Sequence, residues 1–423
     1  MAILYPARSP KVLPTHRLDD NHQGADVAMR RWGHSNGYAR CLIALAWCTV
    51  SFLLIQATMA HTEPLEGSVP QSVQDQFITE PPGISVESWV SDLNIPWSLV
   101  FLPDGRGLVS ERRGQIRLIG PGGQLAQKPY ATLQVAAHGE GGLMGLALHP
   151  KFPESPYVYV MLTRQEREGS ANAVIRLKHE DDHAQFDRDI VVGIPAGTFH
   201  DGGRIAFGPD GMLYIGTGDS THPGLAKDLH SLAGKILRVT AEGEIPSDNP
   251  FAGSPIYSYG HRNVQGLAWH PQSGTLFASE HGPTGEFGLN ARDEINLIKP
   301  GGNYGWPDAT CAVSRPKLID PLVCWADASV PPGGIAFAGN DLLVATLRSE
   351  ALIRIQFLGS GDRYRVIAIQ RWFASSRSSG RYGRLRDVVA GPDGTFYVLT
   401  SNRDGRGRAR PGDDHILRIH LPP

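Results

Sequence analysis

Five short segments hold most of the side chains that could move a proton or grip an anion. The first, residues 199–204, places His200 between Phe199 and the run Asp201, Gly202, Gly203. Imidazole titrates near neutrality without help, so His200 is a candidate general base, and the glycines beside it would let a ligand approach the backbone. The second segment, 260–266, carries His261, Arg262, Asn263 and Gln265, and the third, 279–283, reads Ser-Glu-His-Gly-Pro. The fourth runs from Asp-Glu-Ile-Asn-Leu-Ile at 293–298 to Gly-Gly-Asn-Tyr-Gly-Trp-Pro at 301–307. The fifth sets Arg384 and Arg386 two positions apart. In a strand that spacing puts both guanidinium groups on one face, where two like charges call for an anionic partner. Taken singly, each feature also has a structural reading. A lone histidine is commonly a satisfied core or surface residue, paired arginines can form surface ion pairs of little worth, and Glu294 fits a turn cap.

Segments so far apart share one site only if the fold brings their loops together. A phrase of alternating apolar residues, a turn built on Pro-Asp-Gly or a variant of it, and a second strand recurs at 99–105, 145–150, 204–211, 266–271, 334–340 and 386–394. Proline fixes φ for such a turn, glycine accepts positive φ, and the flanking β-branched and aromatic residues suit buried strands. A spacing of about 45–70 residues per copy fits one four-stranded blade with variable loops. Six copies predict an all-β, six-bladed propeller with four-stranded antiparallel blades. A β-sandwich of similar hairpins is the bland alternative, and the regularity of the copies argues against it. A strand near 84–90 is expected to pair with the C-terminal blade and remove the open edge. His149 and His270, each beside proline, read as turn residues, and the arginines at 403, 406, 408 and 410 read as a solvated loop, with docking of an electron acceptor as the alternative.

The chain has 423 residues, 41% of them hydrophobic, enough for a sizeable core. Its formal charge of −2 gives no electrostatic case for nucleic acid, so an anionic ligand needs a local arginine cluster. Residues 1–60 read as an export segment. Arg30 and Arg31 precede an apolar run from 41 to 57, and small residues follow, the order of a secretory signal peptide, with Met29 a candidate true start. A membrane anchor is the alternative. Residues 61–76 read as a linker and 77–423 as the propeller. Of four cysteines, Cys41 and Cys48 fall in the export segment; Cys311 and Cys324 are expected to form a disulfide in a periplasmic or secreted protein.

Taken together and in order, the motifs GHRNVQGLA, SEHGP, DEINLI and GGNYGWP resemble the soluble pyrroloquinoline-quinone (PQQ) dependent glucose and aldose sugar dehydrogenases, from about residue 95 to the C-terminus. The resemblance implies that His200 removes the proton of the anomeric hydroxyl while hydride passes to the quinone, giving a lactone. Asp219 would orient the imidazole, and Arg262 with a calcium ion would stabilise negative charge on the quinone oxygen. Asn263, Arg348, Arg384 and Arg386 would hold the cofactor, guanidinium groups matching its carboxylates. The resemblance puts the cofactor's calcium on carbonyls of Gly282 and Pro283, and a structural calcium on Glu294 and the Tyr304 carbonyl. Three positions depart from the glucose enzyme: Glu140, also on the cofactor side, replaces a glutamine, Arg348 a lysine, and His281 a glutamine. The first bears on sugar preference. The partners implied are an aldose and an electron acceptor, either a quinone or a cytochrome. Without the glucose enzyme's dimer insertions, a monomer is as well supported as a homodimer. Two rivals stand beside this reading. A calcium-dependent lactonase or esterase would need carboxylate and asparagine ligands around the channel axis and no arginine cluster. A non-catalytic carbohydrate-binding propeller would have lost the histidine or the arginines.

Overall fold

Six sheets form a closed ring in the computed structural model, which describes residues 63–422 apart from 168 and 362. The expected export segment lies outside the described residues. Each repeat identified above supplies the innermost strand of one blade: Pro96–Phe101, Leu143–Leu148, Ile205–Phe207, Val264–Trp269, Pro332–Ala338 and Leu385–Ala390 in blades 1 to 6. Every inner strand touches the next, and that of blade 6 touches that of blade 1. Ser85–Val90 closes the ring as the outermost strand of blade 6, antiparallel to Ile416–His420, as the sequence led us to expect.

Six apolar clusters lie between neighbouring blades. Side chains alternate along each strand, so the two faces of a blade feed two different clusters. Blade 6 illustrates this. Val398 packs with blade 5 around Leu343 and Trp372, while its neighbours Tyr397 and Leu399 pack with blade 1 around Leu99 and Val109. Burial of these faces supplies the main driving force for association of the blades.

Near the start of five inner strands the ladder slips by one residue, at Pro96/Ser98, Leu143/Leu146, Val264/Gly266, Pro332/Ile335 and Leu385/Asp387. A bulge re-aims the side chain it releases. Trp97, Gln265 and Arg386 are three such residues, and they meet at the axis: Arg386 lies over the Trp97 ring at 5.7 Å and donates to Gln265 Oε1 at 2.8 Å. There too, Arg204 of blade 3 pairs with Asp387 of blade 6 at 2.9 Å and lies 4.6 Å from the Trp97 ring centre. Gly334 makes room for this pair, since a Cβ there would fall 1.6 Å from Asp387 Oδ1.

The stretch 61–76, expected as a linker, runs along the propeller where it is described. Leu65–Glu66 pairs in parallel with Ala309–Thr310, and the Gln71 side chain bonds both backbone polar groups of Cys324. Asp75–Ile78 adds a fifth, parallel strand to blade 5. Cys311 and Cys324 are joined, with Cα atoms 5.5 Å apart.

Breaking one half of a buried ion pair leaves the other charge uncompensated. Asp387→Ala is therefore expected to cost about 3–5 kcal/mol, read as a lower urea midpoint with unchanged slope. A loss below about 1 kcal/mol would mean the axis is not held by this pair.

Candidate active site

The loops before the inner strands converge on one mouth, around a cavity of about 580 Å³. His200 sits in its wall with φ of 63°, and Ser220 and Thr221, beside Asp219, share that left-handed conformation. Such backbone costs about 1–2 kcal/mol per residue for side chains with a Cβ. Its concentration around one imidazole marks a place where geometry outweighs local stability. The glycines beyond His200 serve packing rather than ligand approach, contrary to the sequence-based expectation. A Cβ on Gly202 would strike Gly216 and Thr217, and one on Gly203 would strike Trp97 and Met144.

His200 is held from both ring nitrogens. Nδ1 lies 2.7 Å from Asp219 Oδ1, and Arg262 Nη2 lies 2.8 Å from Nε2. A guanidinium can only donate, so Nε2 must accept and Nδ1 must carry the proton. The lone pair of a base is thereby presented at Nε2. Asp219 is itself fixed, accepting from Trp306 Nε1 at 2.7 Å and from the Thr221 amide at 2.8 Å. Arg262 is stacked 5.6 Å from the Trp306 ring and donates to Glu286 Oε1 at 2.5 Å.

Other expected residues occupy different depths. Glu140 accepts from the His200 amide at 3.0 Å and pairs with Arg406 at 2.9 Å. Burial opposes its ionisation, but His281, Arg406 and the His200 amide together hold its carboxyl at about 2. His281 is pushed down to about 3, first by burial, and is neutral at pH 7. Asn263 Oδ1 accepts from the Gly202 amide at 2.9 Å, tying the His200 loop to blade 4. Arg348 is exposed at the rim and Arg384 lines the cavity, paired with Asp404 at 2.8 Å. Arg386 lies below, on the axis with Gln265, so the two arginines do not share one partner. The loop 403–410, expected to be solvated, enters the site instead. Arg406 lies 5.0 Å over the Phe199 ring and lines the cavity. Glu286, Arg406 and Asp404 were not legible as site residues, because nothing in their neighbours' spacing marks them.

A second, much smaller void of about 20 Å³ lies behind the first, and Gly282, Pro283, Glu294 and Tyr304 all line it, together with Glu280. Burial, and then the facing Glu280, push the Glu294 carboxyl well above its ordinary value. Asn296 Oδ1 and Thr310 Oγ1 are buried nearby without hydrogen-bond partners. Two facing carboxylates and unpartnered neutral oxygens around a space of atomic size are a donor set for a hard cation such as calcium. The disulfide abuts this void, and the Cys311 amide donates to Glu294 Oε1 at 2.8 Å.

The glucose/sorbosone dehydrogenase family profile matches residues 93–417. The chain belongs to that family. Among curated relatives, the aldose sugar dehydrogenase of Escherichia coli is 33% identical over 361 residues, covering 77% of this chain and 92% of its own. An uncharacterised Synechocystis protein is 32% identical over 368 residues, covering 77% and 86%. Among solved structures, an oxidoreductase (glucose dehydrogenase) of Thermus thermophilus is 51% identical with a TM-score of 0.75, covering 80% of this chain and all of its own. The PQQ-bound aldose sugar dehydrogenase of Streptomyces coelicolor is 41% identical with a TM-score of 0.71, covering 81% and 99%. In this glucose/sorbosone dehydrogenase family member, among the described residues, no helix is long and apolar enough to cross a membrane.

Calcium in the void would separate Glu280 from Glu294. At a calcium concentration 100 times its Kd, a gain of about 2.7 kcal/mol is expected, read as a higher Tm. Glu294→Gln should raise the Tm of the calcium-free protein by relieving the facing charges, and remove the part of the calcium response that arises at Glu294. A response that survives the substitution undiminished would place the ion elsewhere.

Proposed function

We propose that this chain is an exported PQQ- and calcium-dependent aldose dehydrogenase that oxidises the anomeric hydroxyl to a lactone with His200 as base. The observation that carries this reading is the chain Asp219–His200–Arg262 at the wall of a cavity bearing further arginines. Nε2 of His200 takes the hydroxyl proton once the sugar hydroxyl displaces Arg262 Nη2 from its lone pair. Asp219, already accepting from Nδ1, stabilises the imidazolium that forms. Arg262 sits at the same nitrogen, so its charge is close to any negative charge that develops on the reacting oxygens. Glu286 and the Trp306 ring keep that guanidinium in place.

Arg348, Arg384 and Arg386, with Arg262 and Asn263, are the residues that would hold PQQ, its carboxylates matching their donors. Glu140 stands ionised beside them, but Arg406 neutralises it, so it does not oppose a polyanionic ligand. When bound, PQQ supplies the two-electron acceptor that amino-acid side chains lack, and calcium on the carbonyls of Gly282 and Pro283 supplies a Lewis acid. Glu294 and the Tyr304 carbonyl would hold the structural calcium. The Cys311–Cys324 bond supports an oxidising compartment, periplasmic or extracellular. A lactonase reading is disfavoured by the axis, where Arg204, Arg386, Gln265, Trp97 and Asp387 meet rather than a ring of carboxylate and asparagine ligands.

The test is dye-linked aldose oxidation with and without added PQQ and calcium. Activity should need both, and His200→Ala should lower kcat by about 10²–10⁴-fold while PQQ still binds. Failure to bind PQQ would sink the reading and make lactone hydrolysis the next assay.

A further inference from the structure

Each aldose converted to a lactone releases two electrons and two protons. The protons can go to solvent, but the electrons need a carrier that comes to the mouth above His200. We propose that the arginine rim over blades 6 and 1 docks a one-electron carrier protein through that protein's acidic face; this rests on the dehydrogenase reading. Two carrier molecules would be reduced per sugar.

The chain as a whole is slightly acidic, with a formal charge of −2, so a cationic patch needs local accumulation. Arg113, Arg381, Arg403, Arg408 and Arg410 are all exposed, and none forms an ion pair among the described residues. They come from three loops that meet. Arg410 Nη1 donates to the Arg381 carbonyl at 2.6 Å, joining the loop 402–414 to the approach to blade 6. Arg406 of the same loop reaches Glu140 in the cavity, so this rim is continuous with the site. The Arg112 amide, next to Arg113, donates to the Ile95 carbonyl, and the Asp92 and Leu93 amides donate to the carbonyls of Gly412 and Asp414, which brings blade 1 against the same loop.

Asp92, whose amide donates to the Gly412 carbonyl, is exposed in this sector, but three other acids face inward. Asp404 is spent on Arg384, Asp413 on Asn402, and Asp414 on Thr400 and Asn402. Solvent therefore meets more guanidinium than carboxylate here. A cofactor held by Arg348, Arg384 and Arg386 would leave the five outer arginines uncompensated. Five charges spread over three loops outside the cavity make a footprint wider than a small anion. A field of one sign around an electron-exchange site steers an oppositely charged partner and can raise its on-rate by about 10–10³-fold.

The test uses the full chain with PQQ and calcium at saturating aldose. The probes are cytochrome c as isolated, which is basic, and succinylated cytochrome c, which carries the same haem in an acidic protein. Benzoquinone is the neutral control. At roughly 10 mM salt the acidic form should be reduced about 10-fold faster or more, and the gap should narrow at roughly 200 mM as screening shortens the field. Arg113→Glu combined with Arg408→Glu should close the gap at low salt and leave turnover on benzoquinone unchanged. Equal reduction of the two forms overturns the proposal, as does a gap that the double variant leaves intact. Retention of the parent but not the variant on alginate, with no gap between the cytochromes, would assign the rim to an anionic polysaccharide instead. No turnover on benzoquinone with any aldose is a different failure, that of the dehydrogenase reading, and the proposal falls with it.

Discussion

Closure of the ring is the constraint on which the other features rest. Ser85–Val90 lies against Ile416–His420, so one blade is built from both ends of the propeller sequence. That pairing removes the last open edge and lets the blade 6 face meet blade 1 around Leu99 and Tyr397. Only in a closed ring can Arg204 from blade 3 reach Asp387 from blade 6 across the axis. The strand bulges then have a common centre to aim at, and Trp97, Gln265 and Arg386 fill it. The result is a plugged channel whose upper end is a rigid floor for the site.

On that floor, donor and acceptor chemistry leaves little freedom. Arg262 cannot accept, so His200 must offer a lone pair at Nε2, and Asp219 takes the remaining ring proton. Trp306 then fixes Asp219 and supports Arg262, so three elements of the site share one indole. Left-handed backbone at His200, Ser220 and Thr221 fits this picture: the surrounding contacts specify the geometry that the local chain would not choose.

Much of the fold is legible because each blade repeats a local pattern. The alternating residues and Pro-Asp-Gly turns at 204–211 and 386–394 need no distant information to read as strand and turn, and they become the inner strands of blades 3 and 6. His200 and Arg262 were legible through motif order. The elements that escaped notice depend on contacts far along the chain. Leu65–Glu66 and Asp75–Ile78 are too short to signal as strands, and their partners lie beyond residue 300. Glu286 sits in a loop without periodicity, and Arg406 looks like any solvated arginine until Glu140 of blade 1 is brought beside it. Gly202 and Gly203 show the converse error, since glycine signals close approach without saying whether ligand or backbone approaches.

The same closure has a consequence for how the protein comes into being. A ribosome delivers Ser85–Val90 near the start of the propeller and its partner Ile416–His420 only after every other described strand of the ring. While blades 1 to 5 are being made, the first strand therefore waits with its ladder unmade, and the arginines of blade 6 do not yet exist. Closing the ring and completing the cavity are therefore one event, which waits for the strand Ile416–His420. A chain that stops before Arg384 would lack that residue and Arg406 of the cavity as well as the closure.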